Sequence, residues 1–168
     1  MILIRGSTSI FSKLKLLELY TLTSYYPELH NQDFSIILCQ RSQTTDREET
    51  LAGINCWIEE FGLSNLPKSL ALNVTDQQWP CQSIDALFTA NTLHIMHSDE
   101  VESFFSGLGQ YLADNATACI YGPFNYRGQY TNASKEQFDQ WLKARDPDSG
   151  IRDFEVIEDL ANKIGLFL

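Results

Sequence analysis

Residues Ile84 to His97 read IDALFTANTLHIMH, and the fold turns on them. Ile84 to Ala90 is a bounded apolar run of strand length, the pattern of a strand buried on both faces. Asn91 and Thr92 stop it. Ser98 then caps a predicted helix in which Val101, Phe104, Phe105 and Leu108 recur at helical spacing, with Gly109 nearby. A second short apolar strand, Thr117 to Tyr121, follows and breaks at Gly122-Pro123.

The same alternation continues outward. On the C-terminal side, Ser134 caps a predicted helix with the stripe Phe138, Trp141 and Leu142, and Pro147 and Gly150 end it. Asp153 caps a last helix, Phe154 to Ile164, which Gly165 stops, and Leu166 to Leu168 read as the opening of a strand. On the N-terminal side, Leu51, Ile54, Ile58 and Phe61 give Thr50 to Phe61 a helical face ended by Gly62. Leu66-Pro67 marks a turn, and Ser69 to Val74 a short strand. Strands alternating with amphipathic helices predict an α/β fold, a parallel sheet with helices on both faces. Ligands of such sheets bind beyond the strands' carboxyl ends. That places Asp46, Asn73, the Asn91 to His97 turn and the Gly122 to Tyr130 loop at the site.

Residues 1 to 42 fit this pattern less well. Lys13 to Tyr20 reads as a short helix and Phe34 to Cys39 as a strand, but Gly6 is the only glycine. No glycine-rich strand-to-helix turn is present to bring backbone amides against a ligand. The chain therefore divides into an atypical segment, 1–42, and an α/β domain, 43–168.

Composition narrows the partners. Twelve basic against 22 acidic residues leave a net charge of −10 and no Lys/Arg cluster to neutralise phosphates. The expected partner is a small-molecule or protein substrate, with no nucleic acid and no membrane. Cys39, Cys56, Cys81 and Cys119 are widely spaced without CxxC, as for thiols in a reducing compartment, and the expected location is cytoplasmic. His94 and His97 have no carboxylate at ligand spacing on the same turn, so no metal site is expected.

Two stretches carry candidate chemistry. IYGPFNYRGQYT, Ile120 to Thr131, follows a predicted central strand. Its aromatics either line a pocket, with Tyr121, Asn125, Tyr126 and Tyr130 as a substrate wall, or cover the sheet end. His94 is a candidate general base, or else a cap of the following helix. Asp46 is placed to accept two ribose hydroxyls, or else to cap a helix. Arg145, Asp146, Arg152 and Asp153 read as a solvated salt-bridge network around Pro147.

From Gln43 onward the chain resembles one family. QTTDREE (Gln43 to Glu49), DALFTANTLHIM, YGPFNYRGQYT and FDQWLKARDPDSGIRDFE (Phe138 to Glu155) are similar to the domain of unknown function 938, the methyltransferase-like protein 26 family. The resemblance implies a Rossmann-like, class I methyltransferase sheet with S-adenosylmethionine as cofactor. Asp46 would hold the ribose, the Asn73 carbonyl the adenine amino group, and Asn91 with His94 the region beneath the methyl donor. The GPFNY loop would form the acceptor wall, with His94 or Tyr121 as proton acceptor. Two departures make the sheet incomplete. Residues 1 to 42 lack the family's first strand and Gly-Thr-Gly-Gln loop, and its closing C-terminal hairpin is missing. Codons for Pro27 to Asn31, read in a shifted frame, permit Gly-Thr-x-Gln, so 1–42 reads as out of frame or divergent. The implied activity is methyl transfer to an unidentified acceptor. The alternatives are a non-catalytic fragment or binding module, and a different small-molecule enzyme using His94, against which the lack of a G-x-S-x-G elbow counts.

Overall fold

The computed structural model describes residues 2–5, 34–38, 42–62 and 66–167. In chain order these form β1 (Ile2–Arg5), β2 (Phe34–Leu38), β3 (Ser42–Asp46), α1 (Leu51–Phe61, entered through a 3-10 turn), β4 (Leu70–Ala71), β5 (Ile84–Ala90), α2 (Ser98–Tyr111), β6 (Leu112–Tyr121), β7 (Phe124–Asn125), α3 (Ala133–Arg145), β8 (Arg152–Asp153) and α4 (Phe154–Lys163). The helix expected at Lys13 to Tyr20 lies outside the described residues.

Six strands make one sheet in the order β1-β6-β5-β2-β3-β4, and β7 pairs with β8 alongside. β5 is parallel to β6 and β3 to β4, whereas β2 is antiparallel to both β3 and β5, and β1 to β6. The four strands β3 to β6 thus point one way, and β1 and β2 point the other. This corrects the expected all-parallel sheet. The parallel expectation held where amphipathic helices intervene, at β3 to β4 and β5 to β6, because a crossover returns the chain to the same edge. From β3 the chain steps outward to β4 and then crosses to β5 on the far side of β2. That reversal is the switch point of the sheet.

β5 is buried on both faces, as its composition requires, with Ala86, Leu87 and Thr89 all inaccessible. One core joins Leu87, Ala118 and Ile120 of the sheet to Phe104, Phe105 and Leu108 of α2 and to Ile157 and Ala161 of α4. Gly62 and Gly165 end α1 and α4 in the left-handed conformation, at φ 58° and 81°.

Four local readings change. α2 is capped by His97 rather than Ser98, and the His97 N–H donates to the Glu100 carboxylate at 2.8 Å. α3 is capped by Asn132 rather than Ser134, its side chain accepting from the Lys135 N–H at 2.9 Å. β6 begins at Leu112, straight off α2, because a bulge lets Leu112 pair with Ile84. Only Leu70–Ala71 of the strand expected at Ser69 to Val74 is paired, since β4 is an edge strand with β3 as its one neighbour.

Trp79 stacks between Phe104 and Tyr111 at 6.2 and 5.8 Å, against bare backbone at Gly107 of α2. A Cβ at Gly107 would stand 2.3 Å from the indole ring, whereas one at Gly53 of α1 would meet nothing within 4 Å. Gly107→Ala is expected to lower stability by about 1–3 kcal/mol through overpacking. Gly53→Ala should raise it by about 0.5–1 kcal/mol through helix propensity. Denaturant melts check both, and equal shifts in one direction would exclude the Trp79 contact as the cause.

Candidate functional site

A cavity of about 840 Å³ opens at the carboxyl edge of β3, β4 and β5, at the switch point. Its size suits a small-molecule site. The floor is apolar, from Leu72, Trp79, Leu87, Met96 and Phe104. The rim carries Asp46, Asn73, Asn91, His94 and the α3 side chains Phe138, Trp141 and Arg145. Thr45 is 1% exposed, and its hydroxyl, at the cavity, has no hydrogen-bond partner among the described residues. A buried hydroxyl left unpaired is costly, and a bound polar ligand relieves that cost.

Asp46 ends β3, where its Oδ1 accepts the Arg47 N–H at 2.6 Å. Burial pushes its carboxyl above the ordinary value, with the hydrogen bonds from Arg47 and Thr50 acting against it. Asn73 follows β4, but its carbonyl already accepts from the Thr75 N–H and hydroxyl at 3.1 and 2.8 Å. Those two bonds fix the Asn73 side chain at the lining of the cavity. Asn91, directly after β5, holds φ 57°, and its N–H donates to the Tyr121 carbonyl at 2.8 Å. That left-handed turn aims the next residues back over the sheet end.

His94 is buried, and its ring meets Phe138 edge-on at 5.3 Å. Desolvation first, then the nearby Arg152 charge, hold its pKa down to about 4. The imidazole is neutral at physiological pH and lines the cavity, and a neutral ring has one acceptor nitrogen.

The aromatic loop is placed elsewhere. Tyr121, Asn125, Tyr126 and Tyr130 are not among the cavity-lining residues. Tyr130 donates to Asp139 Oδ2 at 2.6 Å, which pushes its pKa up to about 12. Tyr126 stacks on Phe154 at 5.4 Å, and Tyr121 is half-exposed. Asn125 is buried in β7 with its Oδ1 unpaired. The loop's aromatics cover the β7–β8 corner, because Asp139 and Phe154 offer the nearer partners.

The charged cluster is also redrawn. Arg152 is partly buried and donates to the carbonyls of Leu93, Met96 and Asp148 and to Ser98 Oγ. It is a clamp on the turn that carries His94, not a solvated ion pair. Asp146 pairs with His97 at 2.8 Å, a bond that raises the His97 pKa. His97, Asp146 and Asp148 bring donor atoms within 4.8 Å of one another, a grouping invisible to single-turn spacing. Two of its oxygens are already engaged, by His97 and by the Asp148 N–H. Phe138, Trp141 and Arg145 also line the cavity, where the sequence did not place them. Phe138 and Trp141 read with Leu142 as a buried stripe, yet Trp141 is 49% exposed.

A family model described as protein of unknown function (DUF938) matches residues 29–168. The chain belongs to the DUF938 family. The match takes in 29–42, which the sequence reading placed outside the resemblance. The DUF938 chain also resembles solved structures. An O-methyltransferase family protein from Burkholderia thailandensis aligns at TM-score 0.65 and 14% identity, covering 73% of this chain and 37% of that one. LepI in complex with SAM aligns at 0.62 and 19%, covering 90% and 35%. The O-methyltransferase NcsB1, with S-adenosyl-L-homocysteine and 1,4-dihydroxy-2-naphthoic acid, aligns at 0.59 and 11%, covering 73% and 35%. The DUF938 chain thus spans little more than a third of the length of these structures. At such identities the likeness is one of fold: an α/β fold like the Rossmann-like folds of methyltransferases. No helix among the described residues is long and apolar enough to cross a membrane.

A lowered histidine pKa means that the unfolded chain takes the proton first as pH falls. The His94 contribution to stability is then complete above pH 6.5 and lost as pH falls toward 4. His97, with its pKa raised, acts oppositely: its contribution is present below pH 6.5 and lost as pH rises through its folded value. His94→Asn should flatten the acid loss of stability between pH 6.5 and 4, by at most about 1.4 kcal/mol per pH unit. Urea melts across that range check this, and an unchanged slope would mean that His94 titrates normally.

Proposed function

We propose that this DUF938 domain binds S-adenosylmethionine in the switch-point cavity and directs methyl transfer to a hydroxyl acceptor. One observation carries the reading. A carboxylate at the end of β3 and a neutral histidine after β5 open into the same cavity, beside an unpaired buried hydroxyl. Asp46 can accept two ribose hydroxyls, Thr45 Oγ1 gains a partner, and Leu72, Val74 and Leu87 give a purine ring an apolar bed. The structural neighbours that bind SAM or S-adenosyl-L-homocysteine support the choice of cofactor.

The cofactor, when bound, supplies a methyl group activated by its sulfonium. The chain's part is positioning. A ring nitrogen of His94 accepts the hydrogen bond of the acceptor hydroxyl and takes its proton as the new oxygen–carbon bond forms. Fixing that hydroxyl replaces a bimolecular encounter with a held one, which is where most of the rate would come from. At physiological pH the His94 ring is neutral, so one nitrogen is free to receive that proton.

A second reading is a binding module without catalysis, and β2 favours it. Because β2 runs antiparallel to β5, its amino end, Phe34, lies beside Ala90 at the cavity edge. The chain leaves β2 at the opposite edge, so no strand-to-helix turn after it can present amides to the methionine end. The described residues fit the adenosine half and leave the methionine half without that support.

Calorimetric titration of the full chain with S-adenosylmethionine separates the two. Saturable binding at micromolar affinity is expected, with Asp46→Asn weakening it about 10-fold. No binding to a chain that unfolds cooperatively would remove the methyl-transfer reading and leave the module.

A further inference from the structure

We infer that the α3 side of the cavity takes a planar aromatic hydroxy acid, with its ring on the Phe138–Trp141 wall and its carboxylate at Arg145. The hydroxyl rests on the methyl-transfer reading above; the ring and the acid rest on the wall alone.

The wall is a continuous series of flat groups. His94 meets Phe138 at 5.3 Å and 70°, Phe138 stacks on Trp141 at 5.8 Å and 17°, and the Arg145 guanidinium lies 4.6 Å over the Trp141 ring. All four residues line the cavity. An indole half in water at the cavity rim is apolar surface that a ring-shaped ligand covers, whereas a flexible or puckered one covers it poorly.

Charge fixes which end of the ligand goes where. Of the cavity's cations, Arg47 faces Glu100 at 3.7 Å and His97 is bonded to Asp146, but Arg145 has no carboxylate partner among the described residues. A guanidinium held over a ring by cation–π attraction still has N–H donors to offer, and its planar fork can meet a carboxylate with two bonds. Of the acids that line the cavity, Asp146 is paired with His97 and Glu100 faces Arg47, whereas Asp46 and Glu49, at the β3 end, repel an anion. The acid end is thereby driven to the α3 rim, and the other end of the ring is left toward His94.

The probe is 6-hydroxy-2-naphthoate, with 2-naphthol and trans-4-hydroxycyclohexanecarboxylate as the acid-free and non-planar controls. Binding to the full chain is followed by calorimetry, with and without S-adenosylmethionine. Trp141 and Arg145 are exposed, so Trp141→Ala and Arg145→Gln should fold, which thermal melts verify. The naphthoate should bind at least about 10-fold tighter than either control. Each variant should weaken it about 10-fold, and Arg145→Lys should restore only part of the loss. Arg145→Gln should leave 2-naphthol unaffected. Equal binding of the naphthoate and a control, or naphthoate binding unchanged in Arg145→Gln, would overturn the proposal. Naphthoate binding with no cofactor binding would remove the methyl-transfer reading and keep this one. Cofactor binding without naphthoate binding would do the reverse.

Discussion

The clamp made by Arg152 is the contact on which the site depends. A guanidinium taken partly out of water must be met by acceptors, and here it is met by backbone carbonyls of Leu93, Met96 and Asp148. Two of those lie in the turn after β5 and one in the loop after α3. One side chain in β8 therefore ties three segments together. Ser149 adds a bond to the Ile95 carbonyl at 2.9 Å, and the Gly150 N–H donates to the His94 carbonyl at 2.8 Å. His94 owes its place, its burial and part of its low basicity to this clamp.

The other wall is fixed by Asp139. Buried at 1% exposure, it accepts from Tyr130, Lys143 and the Ile151 N–H, each at 2.6 Å. Burial alone would raise its pKa, but these hydrogen bonds outweigh it and hold the carboxyl below its ordinary value. The network fastens α3 to the aromatic loop on one side and to the β8 approach on the other. With α3 so held, Phe138, Trp141 and Arg145 face the cavity along one stripe. The two networks share the loop 146–152, so the base side and the stacking wall are positioned together.

Much of this was legible in the chain. Ile84 to Ala90 is a strand to the residue, and the helix expected at Phe154 to Ile164 differs by one position, because burial on both faces and glycine stops are local signals. Asp46, Asn91 and His94 were chosen by the rule that polar residues past strand ends meet ligands, and all three line the cavity. Trp141 misled. At helical spacing an indole counts toward the core, and nothing in its neighbours reveals that α3 lies over an opening. For the tyrosines of the aromatic loop the sequence left two places open, a pocket wall or a cover of the sheet end, for the same reason. Their partners, Asp139 and Phe154, lie 9 residues from Tyr130 and 28 residues from Tyr126 in the chain.

The sequence by itself determined the α/β alternation, the strand and helix positions near the site and the family, since these rest on periodicity, stop residues and unbroken motifs. Only the tertiary structure decided the direction of β2, which a five-residue apolar run leaves open. It alone also brought Arg152 to a turn more than fifty residues away and set Trp141 and Arg145 at the cavity rim. A strand's register and an arginine's acceptors are chosen among distant parts of the chain competing for the same hydrogen bonds, and that competition is settled only when the whole chain folds.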